Sequence, residues 1–342
     1  MTAHVAQRPQ ARRRLRVTPS RGLSTVLLAL VVLVVLGLTT AHSSMRHGAI
    51  LGMLPFAAVL AVAALGQTLV VMQGGIDLSV AGTISLVVVI ITHQAYGDNA
   101  KVLPAALVAL AAAIVAGLIN GVLIGRFGLN AIVATLGTNA LLYAGVLGVS
   151  GGTPRQTTDL LARITGGTSF GIPNAVYFAV LATIVTTVAV KRTVAGRRFE
   201  AVGANAWAAW ATGLKIERFR AGAYVWAAVL YWLAGFLLAG VINKPTAYEG
   251  DSYVLASVAA VVLGGTSLLG GRGNLVASAL AALFLTQLQQ YVLALGVTFA
   301  VQTLVQAAAL TVGVALYTVN WSRLRRRRQA VPPRTLVGSA HP

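Results

Sequence analysis

The sequence predicts an all-α fold: a polytopic transmembrane helical bundle of about ten spans. Three observations predict it. Of the 342 residues, 57% are hydrophobic and only 10% charged, with a mean hydropathy of +0.81, a balance outside that of an ordinary soluble domain. Apolar runs close to 20 residues, enough helix to cross a hydrocarbon core, recur along the chain. The basic residues sit between those runs in clusters. With no cysteine, a disulfide framework and thiolate chemistry are both excluded.

Taken in order, a basic tail (1–22) carries Arg8, Arg12, Arg13, Arg14, Arg16 and Arg21 ahead of a first apolar run at 23–40. Small residues after that run, Thr39 to Ser44, would also suit a cleaved signal peptide; the long basic region and near-spanning length favour a retained anchor. Spans follow at 50–72, 76–95, 102–124, 129–150 and 171–190. A polar loop at 191–219 then precedes spans at 220–243, 253–269, 274–296 and 298–321 and a second basic tail, 322–342. Segment 253–269 is short and glycine-rich at its end, so it either crosses or re-enters.

The formal net charge of +19 would suit nucleic acid only if it lay on one folded surface. Instead Lys191, Arg192, Arg197, Arg198, Lys215, Arg218 and Arg220 share the central loop, and Arg323, Arg325, Arg326, Arg327, Arg328 and Arg334 follow the last span. Basic residues accumulate in short cytoplasmic loops, which places that loop and both termini inside. Six spans before the loop and four after it fit this parity. Arg126 and Arg272 fall inside as well, while Arg46, Lys101, Arg155, Arg163 and Lys244 fall outside with Asp98, Asp159, Glu249 and Asp251. Spans two to five begin outside and spans seven to ten begin inside, so as repeats they would be related by inverted topology.

Two glycine breaks punctuate the spans. In the first, Gly74 and Gly75 interrupt a helix before Asp77 and Ser79, which can accept bonds from the free amides of the next helix. The same acidic residue near hydrocarbon equally suits a polar path, and both roles stand. The second break contains Gly264, Gly265, Gly270, Gly271 and Gly273 with Arg272, but lacks the GxxxxGK[ST] order of a phosphate loop. Asn120, between Gly117 and Gly121, belongs to a close-packing pattern. Thr135 and Asn139 share one helix face four residues apart, near Thr138. With Gln67, Gln287, Gln290, Gln302 and Gln306 these groups suit a neutral hydroxylated solute, or helix packing. The substrate-path candidates are Gln67, Asp77, Ser79, Asn120, Thr135 and Asn139.

The stretch 196–216 is amphipathic and flanked by charge. Phe199, Val202, Trp207, Trp210 and Leu214 recur at helical spacing, as in a helix that fills a groove in a soluble partner. The histidines, His4, His42, His47, His93 and His341, form no helical pair, so no metal site is expected. No acidic pair suits acid–base work and no serine has an identifiable base, which disfavours an enzyme.

The segments GGIDLSV (74–80), GLINGVLIGRFGL (117–129), ATLGT (134–138), GRRFEAVGAN (196–205) and VAAVVLGGTSLLGGRG (258–273) resemble, in this order, the permease subunits of ATP-binding-cassette sugar importers of the ribose, xylose and galactose type. The resemblance implies a permease domain over 23–321 in a bacterial cytoplasmic membrane. It implies a second permease copy or paralogue, a cytoplasmic ATPase that holds ATP and Mg, and an extracytoplasmic sugar-binding protein. No cofactor on this chain and no nucleic acid is implied. Gly196, Arg197, Ala201, Gly203, Asn205, Ala208, Ala209 and Gly213 match the family's coupling loop, and Trp207 and Trp210 join them as coupling candidates. Ala206 and Trp210 replace the family's usual Pro and Arg. Val254-Leu255-Ala256-Ser257-Val258 replaces its usual Glu-Leu-Asp-Ala-Ile, removing both acidic residues.

An ion-driven secondary transporter would want intramembrane charged couplers, and Asp77 alone qualifies. A non-transporting scaffold would leave Trp207 and Trp210 at headgroup depth. Neither accounts for the ordered motifs.

Overall fold

The computed structural model describes residues 21–298 and, beyond them, residues 300, 301, 304, 307, 308 and 311. Apart from those positions, the expected span 298–321, with Gln302 and Gln306, lies outside the described residues, as do residues 1–20 and the carboxyl-terminal tail. Each of the other nine expected spans contains one helix.

Helix α1 (Arg21–Thr40) leads through a short 3-10 turn into α2 (His47–Met72), a 26-residue helix buried along most of its length. The chain then breaks at residues 73–79 before α3 (Val80–Ala95). Helix α4 (Val102–Gly125) and α5 (Ala131–Ser150) follow, α5 opening with the Asn130 side chain accepting from the amides of Ile132 and Val133. A single turn, α6 (Asp159–Leu161), runs into a wider turn at Ala162–Gly166. Strands β1 (Thr168–Ser169) and β2 (Ile172–Pro173) then pair antiparallel, Thr168 opposite Pro173. Helix α7 (Asn174–Arg192) precedes a polar pair, α8 (Val194–Ala204) and α9 (Ala206–Ala211). Helix α10 (Ile216–Val241), α11 (Asp251–Leu263) and α12 (Leu275–Ala294) complete the described chain.

Seven of these helices are long and apolar enough to cross a membrane; α3 and α11 are shorter, with 16 and 13 residues. At the α-helical rise they extend only about 24 and 20 Å, less than a hydrocarbon core of roughly 30 Å. The expected spans 76–95 and 253–269 are therefore each a half-helix plus irregular chain.

The two 26-residue helices, α2 and α10, form the centre and pack on each other. Gly66 of α2 lies against the Tyr231 ring, where a Cβ would come within 2.6 Å. Helix α4 closes on α10 along Gly117, Gly121 and Gly125, each of which would drive a Cβ within 2.9 Å of α10 atoms. The small-residue pattern in the sequence is thus a helix seam. Helices α3, α11, α12 and α7 surround the central pair, α5 covers α3, and α1 lies on α12.

Candidate functional site

The bundle has a lower end, which carries α8 and α9, and an upper end. Helix α2 descends from His47 to the lower end at Met72, but the following turn climbs back into the bundle. Asp77 there is level with Gln67, whose side chain clamps its peptide. In the amide orientation that satisfies both partners, Gln67 Nε2 donates to the Asp77 carbonyl (3.1 Å), and its Oε1 accepts from the Asp77 amide (3.2 Å). The Tyr231 hydroxyl lies 3.0 Å from the same amide group.

The amino end of α3 therefore begins inside the bundle, where free backbone amides need partners. Neighbouring side chains supply them. Thr135 Oγ1 accepts from the Leu78 amide (3.0 Å) and Asn139 Oδ1 from the Gly82 amide (2.8 Å). Asp77 Oδ1 accepts from the Ser79 amide (2.9 Å) and hydroxyl (2.5 Å). Asn120 Nδ2 donates to Ser79 Oγ (2.8 Å), and Thr138 Oγ1 donates to Asn120 Oδ1 (2.6 Å). The structure thus brings all six substrate-path candidates together around one buried helix end, and adds Thr138. Their polar atoms face one another.

Helix α11 begins inside the bundle from the opposite side. After α10 reaches the upper end at Val241, the chain turns back down so that Gly250 sits on α3. Its amide donates to Ser85 Oγ (2.9 Å), and a Cβ there would come within 2.0 Å of the Ala81 carbonyl. The Tyr143 hydroxyl bonds the Asp251 carboxylate at this crossing. Two half-helices thus meet by their amino ends, each with an Asp at the positive end of its dipole. Ser85 and Tyr143 escaped the sequence reading, and Asp251 was read only as an outer acidic residue, because pairings across 108 and 165 positions leave no local signal.

A second convergence lies at the lower end. Met72 accepts through its carbonyl from the Gly271 amide (2.9 Å), joining α2 to the second glycine break. Gln73 Nε2 donates to the Phe199 carbonyl (2.9 Å), joining α2 to α8. Gly203 permits that contact, since a Cβ would lie 2.1 Å from the Met72 carbonyl. Gly271 has φ +78° and abuts Ala204; Gly273 faces the Met72 side chain. Gly264 packs on Ser278, Gly74, Gly265 and Gly270 adopt positive φ, and Gly75 abuts Tyr224.

The amphipathic stretch expected as one helix from 196 to 216 is two. Asn205 is extended (φ −157°), ending α8 while its side chain accepts from the Ala208 amide to start α9. This break splits the apolar stripe. Val202 is buried and Phe199 packs inward, whereas Trp207 and Trp210 are 80% and 64% exposed and stack edge-on at 6.3 Å. Gly196 and Ala209 are buried against the protein; Arg197, Ala201, Asn205, Ala208 and Gly213 are exposed. The single apolar face expected here is therefore split, with the tryptophan pair exposed.

Paired half-helices inside a polytopic bundle, with a polar helical hairpin locked to their turns, define an integral membrane protein of the transport class. Comparison with known proteins specifies it. Residues 49–315 match the family model described as "Branched-chain amino acid transport system / permease component", and the chain belongs to that family of permease components. It is 35% identical to a probable ABC transporter permease, y4mJ, of Sinorhizobium fredii, over 86% of this chain and 89% of that one. It is 31% identical to the ribose import permease RbsC of Escherichia coli, over 84% and 91%. It is 29% identical to the autoinducer 2 import permease LsrD of Photorhabdus temperata, over 80% and 86%. No solved structure matches the chain.

Proposed function

We propose that this chain is the permease subunit of an ATP-driven importer and forms the path for a monosaccharide or related polyol delivered by an extracytoplasmic binding protein. The carrying observation is the lower junction, where Met72 and Gln73 tie the end of α2 to both α8 and the 264–273 turn. A force applied to the α8–α9 hairpin there reaches both half-helices. The partners are a cytoplasmic ATPase that binds ATP and Mg, a second permease copy or paralogue, the binding protein and membrane lipid. The exposed Trp207 and Trp210 suit the ATPase contact. The names of the ribose and autoinducer 2 permeases among its relatives support the solute class.

In this proposal the chain has ten spans in a bacterial cytoplasmic membrane, with both termini and the α8–α9 hairpin inside and basic tails at 1–22 and 322–342. Spans two to five and seven to ten are inverted repeats. The matching lengths of α2 and α10, each followed by a half-helix that starts within the bundle, support this. The cluster of Gln67, Asp77, Ser79, Asn120, Thr135 and Asn139 closes the inner half of the path, and opening inward exchanges its internal bonds for bonds to the passing solute. The test is Trp207→Asp with Trp210→Asp in the assembled complex. Sugar-dependent ATP hydrolysis should fall at least tenfold while the permease stays folded; unchanged hydrolysis would remove α9 as the coupler.

A further inference from the structure

We infer that the upper half of the bundle holds a solute chamber, built by α2, the amino end of α11 and the upper part of α12, that takes a neutral polyhydroxylated molecule of monosaccharide size. This rests on the permease proposal and deepens it by placing the external site on residues that the family motifs do not include. The cavity there has a volume of about 500 Å³, within the range of small-molecule sites.

Each wall contributes what a sugar needs. Helix α12 presents Thr286, Gln289 and Gln290; neither glutamine side chain hydrogen-bonds to a described residue. Uncharged amides at that depth are costly against lipid, which places this face toward water or protein. Helix α11 begins at the cavity with Glu249, Ser252 and Tyr253. At its amino end Ser85 takes the Gly250 amide, and the Tyr248 and Gly250 carbonyls take the Asp251 and Tyr253 amides, so among the first amides that of Ser252 is left to donate to a solute oxygen. At the matching end of α3, side chains of α5 take the Leu78 and Gly82 amides. Glu249 is fixed by the Thr246 amide (2.8 Å) and hydroxyl (2.9 Å) on one carboxylate oxygen, and can accept a sugar hydroxyl on the other. The α2 wall carries Phe56, an apolar surface for a sugar's C–H face, with Gly48 and Gly52. A Cβ added at either glycine would meet nothing within 4 Å among the described residues. Among the described residues these glycines therefore leave room rather than allow close packing.

The absence of cysteine makes the wild-type chain its own labelling background. Ser252→Cys, in the assembled transporter in proteoliposomes, should react with a membrane-impermeant maleimide applied from outside. Labelling should reduce uptake of radiolabelled D-ribose, D-xylose or D-galactose, whichever the wild type carries, at least tenfold. Gly52→Phe should fill the chamber and reduce uptake similarly while leaving the protein folded and the two permeases associated. No labelling from outside, or a labelled transporter that conducts normally, overturns the chamber. So does a Gly52→Phe protein whose only defect is loss of permease association, which would make the face a helix interface. Wild type that takes up none of the sugars but hydrolyses ATP in its complex defeats the sugar assignment separately, and maleimide access still decides whether the chamber opens to water.

Discussion

Replacing Gly203 by Ala tests the lower junction most directly. The new Cβ would stand 2.1 Å from the Met72 carbonyl oxygen, whereas carbon and oxygen resist approach within about 3 Å, so α8 and α2 must separate by about 1 Å. Such a shift stretches the 2.9 Å bond from Gln73 Nε2 to the Phe199 carbonyl beyond hydrogen-bonding range. Overpacking of this kind costs about 1–3 kcal/mol and the lost bond adds about 1 kcal/mol, a total near 2–4 kcal/mol. Gly222→Ala is the control, because that helical position has nothing within 4 Å of an added Cβ among the described residues; it should be neutral or stabilising by up to about 1 kcal/mol. Thermal unfolding of the solubilised protein measures both. In the reconstituted complex, Gly203→Ala should hydrolyse ATP with less solute moved per ATP, while Gly222→Ala keeps wild-type coupling. Equal melting and equal coupling in the two variants would refute the close contact and the transmission argued from it.

Asn120→Leu removes the residue that bonds both Ser79 and Thr138 and should destabilise by about 2–4 kcal/mol, read by denaturation in detergent. Asp77→Ala should leave assembly intact and impair uptake, because the α3 turn loses its anchor; normal uptake would reduce Asp77 to a cap. The Tyr224 hydroxyl is buried with no partner among the described residues, so Tyr224→Phe should be neutral or stabilising by up to about 1 kcal/mol. Tyr231→Phe loses a 3.0 Å bond to Gln67 and should cost about 1 kcal/mol, so equal melting temperatures would contradict that assignment.

The local properties of this chain were legible in the sequence. Apolar run lengths located nine of the described helices, seven of them long enough to cross, because hydrocarbon thickness dictates the length of a crossing helix. The pattern at Gly117, Asn120 and Gly121 announced a close helix seam, and α4 makes it on α10. Four-residue spacing put Thr135 and Asn139 on one face, and both reach the amino end of α3. What spacing cannot express is depth. The turn at 73–79 suited a boundary cap and a polar path equally, and 253–269 suited a crossing or a re-entrant segment; that both turns, 73–79 and 242–250, enter the bundle was decided by contacts, since apolar composition is the same for a half-helix and a full span with its turn. The amphipathic stripe at 196–216 failed for a related reason: one extended residue, Asn205, reset the helical phase. The sequence by itself determined that this is a multi-pass helical protein with a polar, amphipathic loop between its halves, because periodicity and run length are local. Only the tertiary structure decided which polar groups close on one another around Asp77, and which are left facing the open cavity at Ser252 and Gln289. Those assignments depend on contacts between residues far apart in the chain, made where no water is present to satisfy the groups instead.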